Sequence, residues 1–178
     1  MRHTLFRVLA VIASPLAAAT SSVAADRSVT YVRCGRLFDG STASLREGIS
    51  ILVRGATIVD VGSGLPVPEG ARVVDLSRFT VVPGLIDAHT HIALHPGGYD
   101  DQILRETPEL RAIHATVNAR LTLESGITTI RDLGNEGAGL ADVALRDAVT
   151  KGLVPGPRIQ AAIQPVTATS RSRPVIQR

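Results

Sequence analysis

Aromatic residues are scarce in this chain: two tyrosines, three phenylalanines and no tryptophan among 178 residues. Lysine is scarcer still. Of the 19 Lys and Arg residues only Lys151 is a lysine, and the arginines are dispersed, with Arg171, Arg173 and Arg178 near the end. Net charge is +3 and the pI about 9.7. A basic patch interleaved with aromatics is missing, which excludes a nucleic-acid surface. One cysteine, Cys34, excludes an internal disulfide. It lies in an alternating segment and reads as a small buried residue. No apolar run reaches the roughly 20 residues of a stable membrane span. The glycines at 134, 137 and 139 lack the Gly-Lys-Ser/Thr ending of a phosphate loop. Disorder is excluded as well, because 44% of the residues are hydrophobic and only 20% are charged.

The segment 1–25 has the form of a cleavable export signal. Arg2 and Arg7 give a positive start, Val8 to Ala19 an apolar core, and Ser22-Val23-Ala24 the small residues before a cut. The expected location is the periplasm or the exterior. Residues 26–80 read as a β-rich unit. Val29 to Phe38 alternates and ends at Asp39-Gly40, Gly48 to Val53 and Ala56 to Val61 form a hairpin around Arg54-Gly55, and Ala71 to Leu76 is a further short strand. Short strands at this spacing predict a small antiparallel unit.

Residues 81–166 follow another pattern. Val81 to Ala88 reads as a buried strand that runs into His89-Thr90-His91. A loop at His95-Pro96-Gly97-Gly98 follows. Thr107-Pro108-Glu109 is a helix start, with Thr as N-cap and Pro at the first helical position. Leu110, Ile113, Val117 and Leu121 share one face of that helix. Ile127 to Ile130 is β-branched and strand-like. A second helix is predicted from about Leu140 to Thr150, and a third strand from Arg158 to Ile163. This is the βα repeat of a parallel barrel.

The two histidines carry the chemistry. On a strand, residues i and i+2 project from one face about 7 Å apart along the chain. Two neutral imidazoles converging at a strand end can hold a divalent metal. The string Pro83-Gly84-Leu85-Ile86-Asp87-Ala88-His89-Thr90-His91 resembles the first barrel strand of the metal-dependent amidohydrolase superfamily. The segments 119–134 and 152–159 resemble the approaches to its second and third strands. The nearest subset is that of the imidazolonepropionase-like and Xaa-Pro-dipeptidase-like enzymes.

The resemblance implies a fold: an α/β chain in which a small β-sandwich-like unit is followed by the first two to three βα units of an incomplete TIM barrel. It implies a function: hydrolysis of a C–N bond in an amide, cyclic amide or dipeptide-like small molecule, with Zn²⁺ as cofactor. It also implies that His89 and His91 are metal ligands. In such sites the metal lowers the pKa of a water from 15.7 to about 7 and polarises the scissile carbonyl. The family's bridging lysine does not map onto Lys151, which sits at a helix end beside Gly152. His95 reads as a loop residue or a substrate contact, and His114 as a surface or helix-packing residue. Asp132, at the end of the second strand, reads as a loop cap or as a contact supporting the site; Asp87 could orient a ligand. No pattern fixes an oligomeric state.

Two features depart from the family. Only about 100 residues follow the β-rich unit, against the 200 or more of a closed barrel. The stretch 167–178 replaces an expected Thr-Gly-Gly-His-like loop with Thr167-Ala168-Thr169-Ser170-Arg171-Ser172-Arg173-Pro174. One codon choice for Ser-Arg-Ser-Arg, AGC CGG TCA CGC, assumed here, would encode Ala-Gly-His if read one base later. The sequence therefore reads as a truncated chain with an out-of-frame tail, inactive by itself. The alternative is a non-catalytic product, either pseudogene-like or a β-rich binding module.

Overall fold

The computed structural model describes residues 28–165. The export signal and the stretch 167–178 lie outside them. Contacts divide the chain into two units: 28–38 with 43–81, and 39–42 with 82–165.

The first unit is a five-stranded sheet. Its strands are β1 (Val29–Leu37), β2 (Arg46–Glu47), β3 (Ile49–Arg54), β4 (Thr57–Ser63) and β5 (Arg72–Val81). The order is β2-β1-β3-β4, with β5 also paired to β1. The β3–β4 hairpin turns at Arg54-Gly55 as the sequence predicts. One expectation is corrected: β5 runs parallel to β1, so the sheet is mixed rather than antiparallel. The long connection through 64–71 returns the chain to the far edge of β1, which a two-residue turn could not do. Cys34, Leu37 and Ile49 form the core, with Val32, Ile51, Val61 and Val81 packed against it. Cys34 is buried as expected, and burial pushes its thiol pKa up.

Opposite Gly35, β5 carries extra residues: Cys34 pairs with Leu76, but Arg36 pairs with Thr80. The missing Cβ makes room for them, because a methyl group on Gly35 would collide with the Ser77 carbonyl oxygen. Gly35→Ala is therefore expected to cost about 1–3 kcal/mol, the usual range for overpacking. A urea titration of the two proteins measures it; an unchanged midpoint would show that the bulge can yield.

The second unit holds a parallel three-stranded sheet, β6 (Leu85–Thr90), β7 (Ile127–Asp132) and β8 (Arg158–Ala161), in that order. Helices α1 (Tyr99–Arg105) and α2 (Pro108–Glu124) connect β6 to β7, and α3 (Ala141–Thr150) connects β7 to β8. Helix α2 starts where the sequence places it: Thr107 Oγ1 accepts the Leu110 N–H at 3.3 Å, with Pro108 in the first turn. It stops at Gly126, whose φ of +93° suits only glycine without strain. Lys151 is the C-cap of α3, an exposed helix-end cation. Helix α1 has no counterpart in the sequence reading. Asp100 and Asp101 in its first turn and Arg105 in its last were the signals for it, Asp101 and Arg105 pairing at 3.1 Å.

The sequence misplaced what is buried. Helix α2 buries Arg111, Ala115 and Ala119, one row at i, i+4, i+8. The row Leu110, Ile113, Val117, Leu121 is 42–63% exposed. Alanines let the helix approach the sheet closely, and Ala115 and Ala119 join Ile92, Ile130, Leu145 and Ile159 in the core. Helices α2 and α3 pack on β7 and β8. Ile130 and Ile159 face them, so the alternate residue Thr129 faces away, and Ile86 pairs with Thr129. Leu85 and Ile86 are 56% and 72% exposed, not buried, and β6 is the edge strand of its sheet.

Candidate metal centre

The candidate ligands stand at the C-terminal end of β6. Asp87 pairs with Ile130, but three residues later Thr90 pairs with Asp132, so β6 carries one extra residue there. That residue puts Thr90 on the helix side and turns His89 to the open face. His91 is the first residue beyond the strand. The two rings still converge, with centroids 5.5 Å apart and planes at 67°. Asp87 supports the arrangement through the backbone, its Oδ1 accepting the His89 main-chain N–H at 3.0 Å.

His91 is the better defined of the two. Its Nδ1 lies 2.8 Å from the Gly134 carbonyl oxygen. A carbonyl can only accept, so Nδ1 carries a proton, and in the neutral ring Nε2 keeps its lone pair. A ring N–H given to a backbone carbonyl is the usual support behind a metal-bound imidazole. Glu136 Oε1 stands 3.3 Å from the same Nδ1. The donor chemistry thus fits a zinc-type ion, with His89 and His91 offering two neutral nitrogens. Among the described residues no third ligand atom groups with this pair.

Asp132 is the brace beneath it. Fully buried, it accepts the Ile92 N–H at 2.7 Å on Oδ2 and the Gly134 N–H at 3.0 Å on Oδ1. It therefore ties the loop after β6 to the loop after β7, on both sides of the His91–Gly134 contact. Burial pushes its pKa up, against the two backbone N–H groups that pull it down. Both oxygens are committed to backbone, so Asp132 positions loops rather than touching a ligand. The loop itself is fixed from below. Arg111, 1% exposed, donates to the carbonyls of Asn135 and Glu136 at 2.8 Å each and of Ala93 at 3.4 Å. Asn135 donates to Gly139 O and to Asp142, which in turn accepts the Ile163 N–H. Arg111 was not singled out in the sequence; an arginine on the alanine face of α2 was the available signal.

His95 and His114 do not behave as separate surface residues. They come together with Glu106, the three ligand atoms lying within 4.8 Å of one another.

Known proteins give the same picture. The sequence profile of the amidohydrolase family matches residues 80–177. A solved Xaa-Pro dipeptidase with methionine in its active site superposes with a TM-score of 0.70 at 36% identity, over 77% of this chain and 34% of the dipeptidase. A prolidase bound to N-methylphosphonate-L-proline gives 0.67 at 29%, over 76% and 32%. Among curated proteins, the dihydroorotase of Mycobacterium leprae is 32% identical over 116 residues, which is 60% of this chain and 26% of that enzyme. The dihydroorotase of Geobacter sulfurreducens is 43% identical over 61 residues, 34% of this chain and 14% of that enzyme. The chain thus spans about a third of these structures and about a quarter or less of the curated relatives. A β-rich unit, a parallel βα sheet opening on His-x-His, and a match over more than half the sequence have one reading: this chain belongs to the amidohydrolase family.

Proposed function

We propose that this chain supplies the first ligand pair of a metal-dependent hydrolase that cleaves a C–N bond in an amide, cyclic amide or dipeptide-like small molecule. The observation that carries the proposal is His91: its Nδ1 is held by the Gly134 carbonyl, and its Nε2 is left available beside the His89 ring. Solved relatives of dipeptidase and prolidase type favour an amide or dipeptide substrate. When bound, the metal supplies an activated water and polarises the scissile carbonyl. The chain's own groups orient it. Asp87 sets the backbone of His89, Gly134 fixes the tautomer of His91, and Asp132 holds the two loops in register.

Catalytic zinc sites generally use three protein ligands. With two nitrogens in the group, the 178-residue chain alone is expected not to turn over dipeptide or cyclic-amide substrates, with or without zinc. The test joins residues 26–165 to the later barrel strands of the matched Xaa-Pro dipeptidase and assays hydrolysis. Zinc-dependent turnover in the joined protein supports the reading. A folded, zinc-loaded but inert protein counts against it.

We also propose export, with segment 1–25 removed. No helix among the described residues is long and apolar enough to cross a membrane. The mature protein is expected to begin at Ala25 or Asp26, as intact-mass measurement of exported material would show. Recovery of only Met1-containing chain from the cytoplasm would refute it.

A further inference from the structure

We propose a second metal site in this chain, formed by His95, Glu106 and His114 and selective for a divalent ion of zinc type. The three come from three consecutive segments: the loop after β6, the C-cap of α1 and the middle of α2. Their ligand atoms already lie within 4.8 Å of one another. Four ligands at about 2.0–2.2 Å from a tetrahedral zinc require separations only modestly shorter than that, so small rotations of the side chains close the site.

His95 is built like a ligand. Its backbone is clamped by the buried side chain of Gln102, which accepts the His95 N–H at 2.9 Å and donates to the His95 carbonyl at 2.8 Å. Its Nδ1 lies 3.0 Å from the Pro96 carbonyl oxygen, so that nitrogen holds a proton. Nε2 is thereby turned to Glu106, 3.0 Å from each carboxylate oxygen. A ring with one N–H on a carbonyl and the other nitrogen facing a carboxylate has two ways to avoid opposing lone pairs. It takes a second proton, or it shares a cation with the carboxylate. The Glu106 contact raises the His95 pKa, which favours the proton until a cation displaces it, and His114 supplies the second nitrogen that such a cation needs. Its ring stacks on His95 with centroids 3.9 Å apart and planes at 25°, which brings a second imidazole nitrogen to the same carboxylate. Apart from that stacking, the His114 ring makes no hydrogen bond among the described residues. The side chains of His95 and Glu106 are 16% and 20% exposed, enough for an ion to enter and too little for free rotation. Two imidazoles and one carboxylate suit zinc better than calcium or magnesium, and they leave a fourth position open. Loaded, the site ties α1 to α2 and to the loop below β6.

The test titrates Zn²⁺ into the full chain and follows histidine ring ¹⁵N signals by NMR, with affinity from calorimetry. At the first equivalent the signals of His95 and His114 are expected to shift together. Affinity at the first equivalent is expected to fall at least tenfold in Glu106→Gln and in His114→Ala, and to stay unchanged in Arg120→Ala, an exposed α2 residue paired with Glu124. Shifts confined to His89 and His91, or an unchanged affinity in Glu106→Gln, would overturn the proposal and leave an ordinary His95–Glu106 ion pair. The wild-type spectrum decides even where a variant fails to fold.

Discussion

Arg111→Ala is expected to remove about 2–5 kcal/mol from the stability of the unit formed by residues 82–165, because it strands buried carbonyls and leaves a cavity. The guanidinium is 1% exposed and lies among three backbone carbonyls. Burial lowers its pKa, while the carboxylates of Glu106 and Glu136 act against that shift. Deleting it leaves the carbonyls of Ala93, Asn135 and Glu136 without that donor, in a region too tight for ready solvation. It also opens a cavity between α2 and the loop after β7. The measurement is urea unfolding followed by far-ultraviolet circular dichroism. Arg105→Ala is the control, because Arg105 pairs with Asp101 at an exposed site and should leave the midpoint where it is. A loss below 1 kcal/mol for Arg111→Ala would mean that the loop is held by Asn135 and Asp142 alone.

His91→Ala carries the other large effect. In the joined protein it is expected to abolish zinc-dependent hydrolysis, and His89→Ala to do the same. Removing only the hydrogen-bond partner behind a ligand typically costs about 10–100-fold in metal affinity or activity. Removing the ligand itself should exceed that. Metal content and turnover, measured on the same preparations, separate the outcomes. Loss of both identifies a ligand. Full metal content with full turnover in His91→Ala would dismiss the pair as the metal site. Asp132→Ala should act more mildly and on stability first, since Asp132 makes its hydrogen bonds to the backbone of Ile92 and Gly134.

Most of the architecture was legible because local chemistry and tertiary structure agree. Thr107-Pro108-Glu109 starts a helix on any scaffold, Arg54-Gly55 turns a hairpin, and the β-branched run at 127–130 makes a strand. Burial was less legible. Hydrophobicity pointed to the Leu110–Leu121 row of α2, but close packing on a sheet favours small side chains, so Ala115 and Ala119 won. The parallel partnership of β1 and β5 depends on the connection between them, and strand patterns do not encode it. At the metal centre the sequence supplied the two nitrogens of His89 and His91 but not what holds them. That support comes from a main-chain carbonyl at Gly134, 43 residues away, and carbonyls have no signature in a sequence. The grouping of His95 with His114 was hidden for a related reason. Their spacing of 19 matches no helix or strand period, and only the intervening α1 brings them together.

The single thiol of the chain gives it a built-in clock. Cys34 is 2% exposed in the first unit, and the second unit has no cysteine at all. An alkylating reagent added under native conditions can react only when the β1–β3–β5 core opens, so the labelling rate counts those openings. Amide exchange at Ile130 would count openings of the βα unit in the same sample. The ratio of the two rates tells whether the units breathe together or apart. Repeating the measurement in Arg111→Ala asks whether loosening one unit is felt by the other.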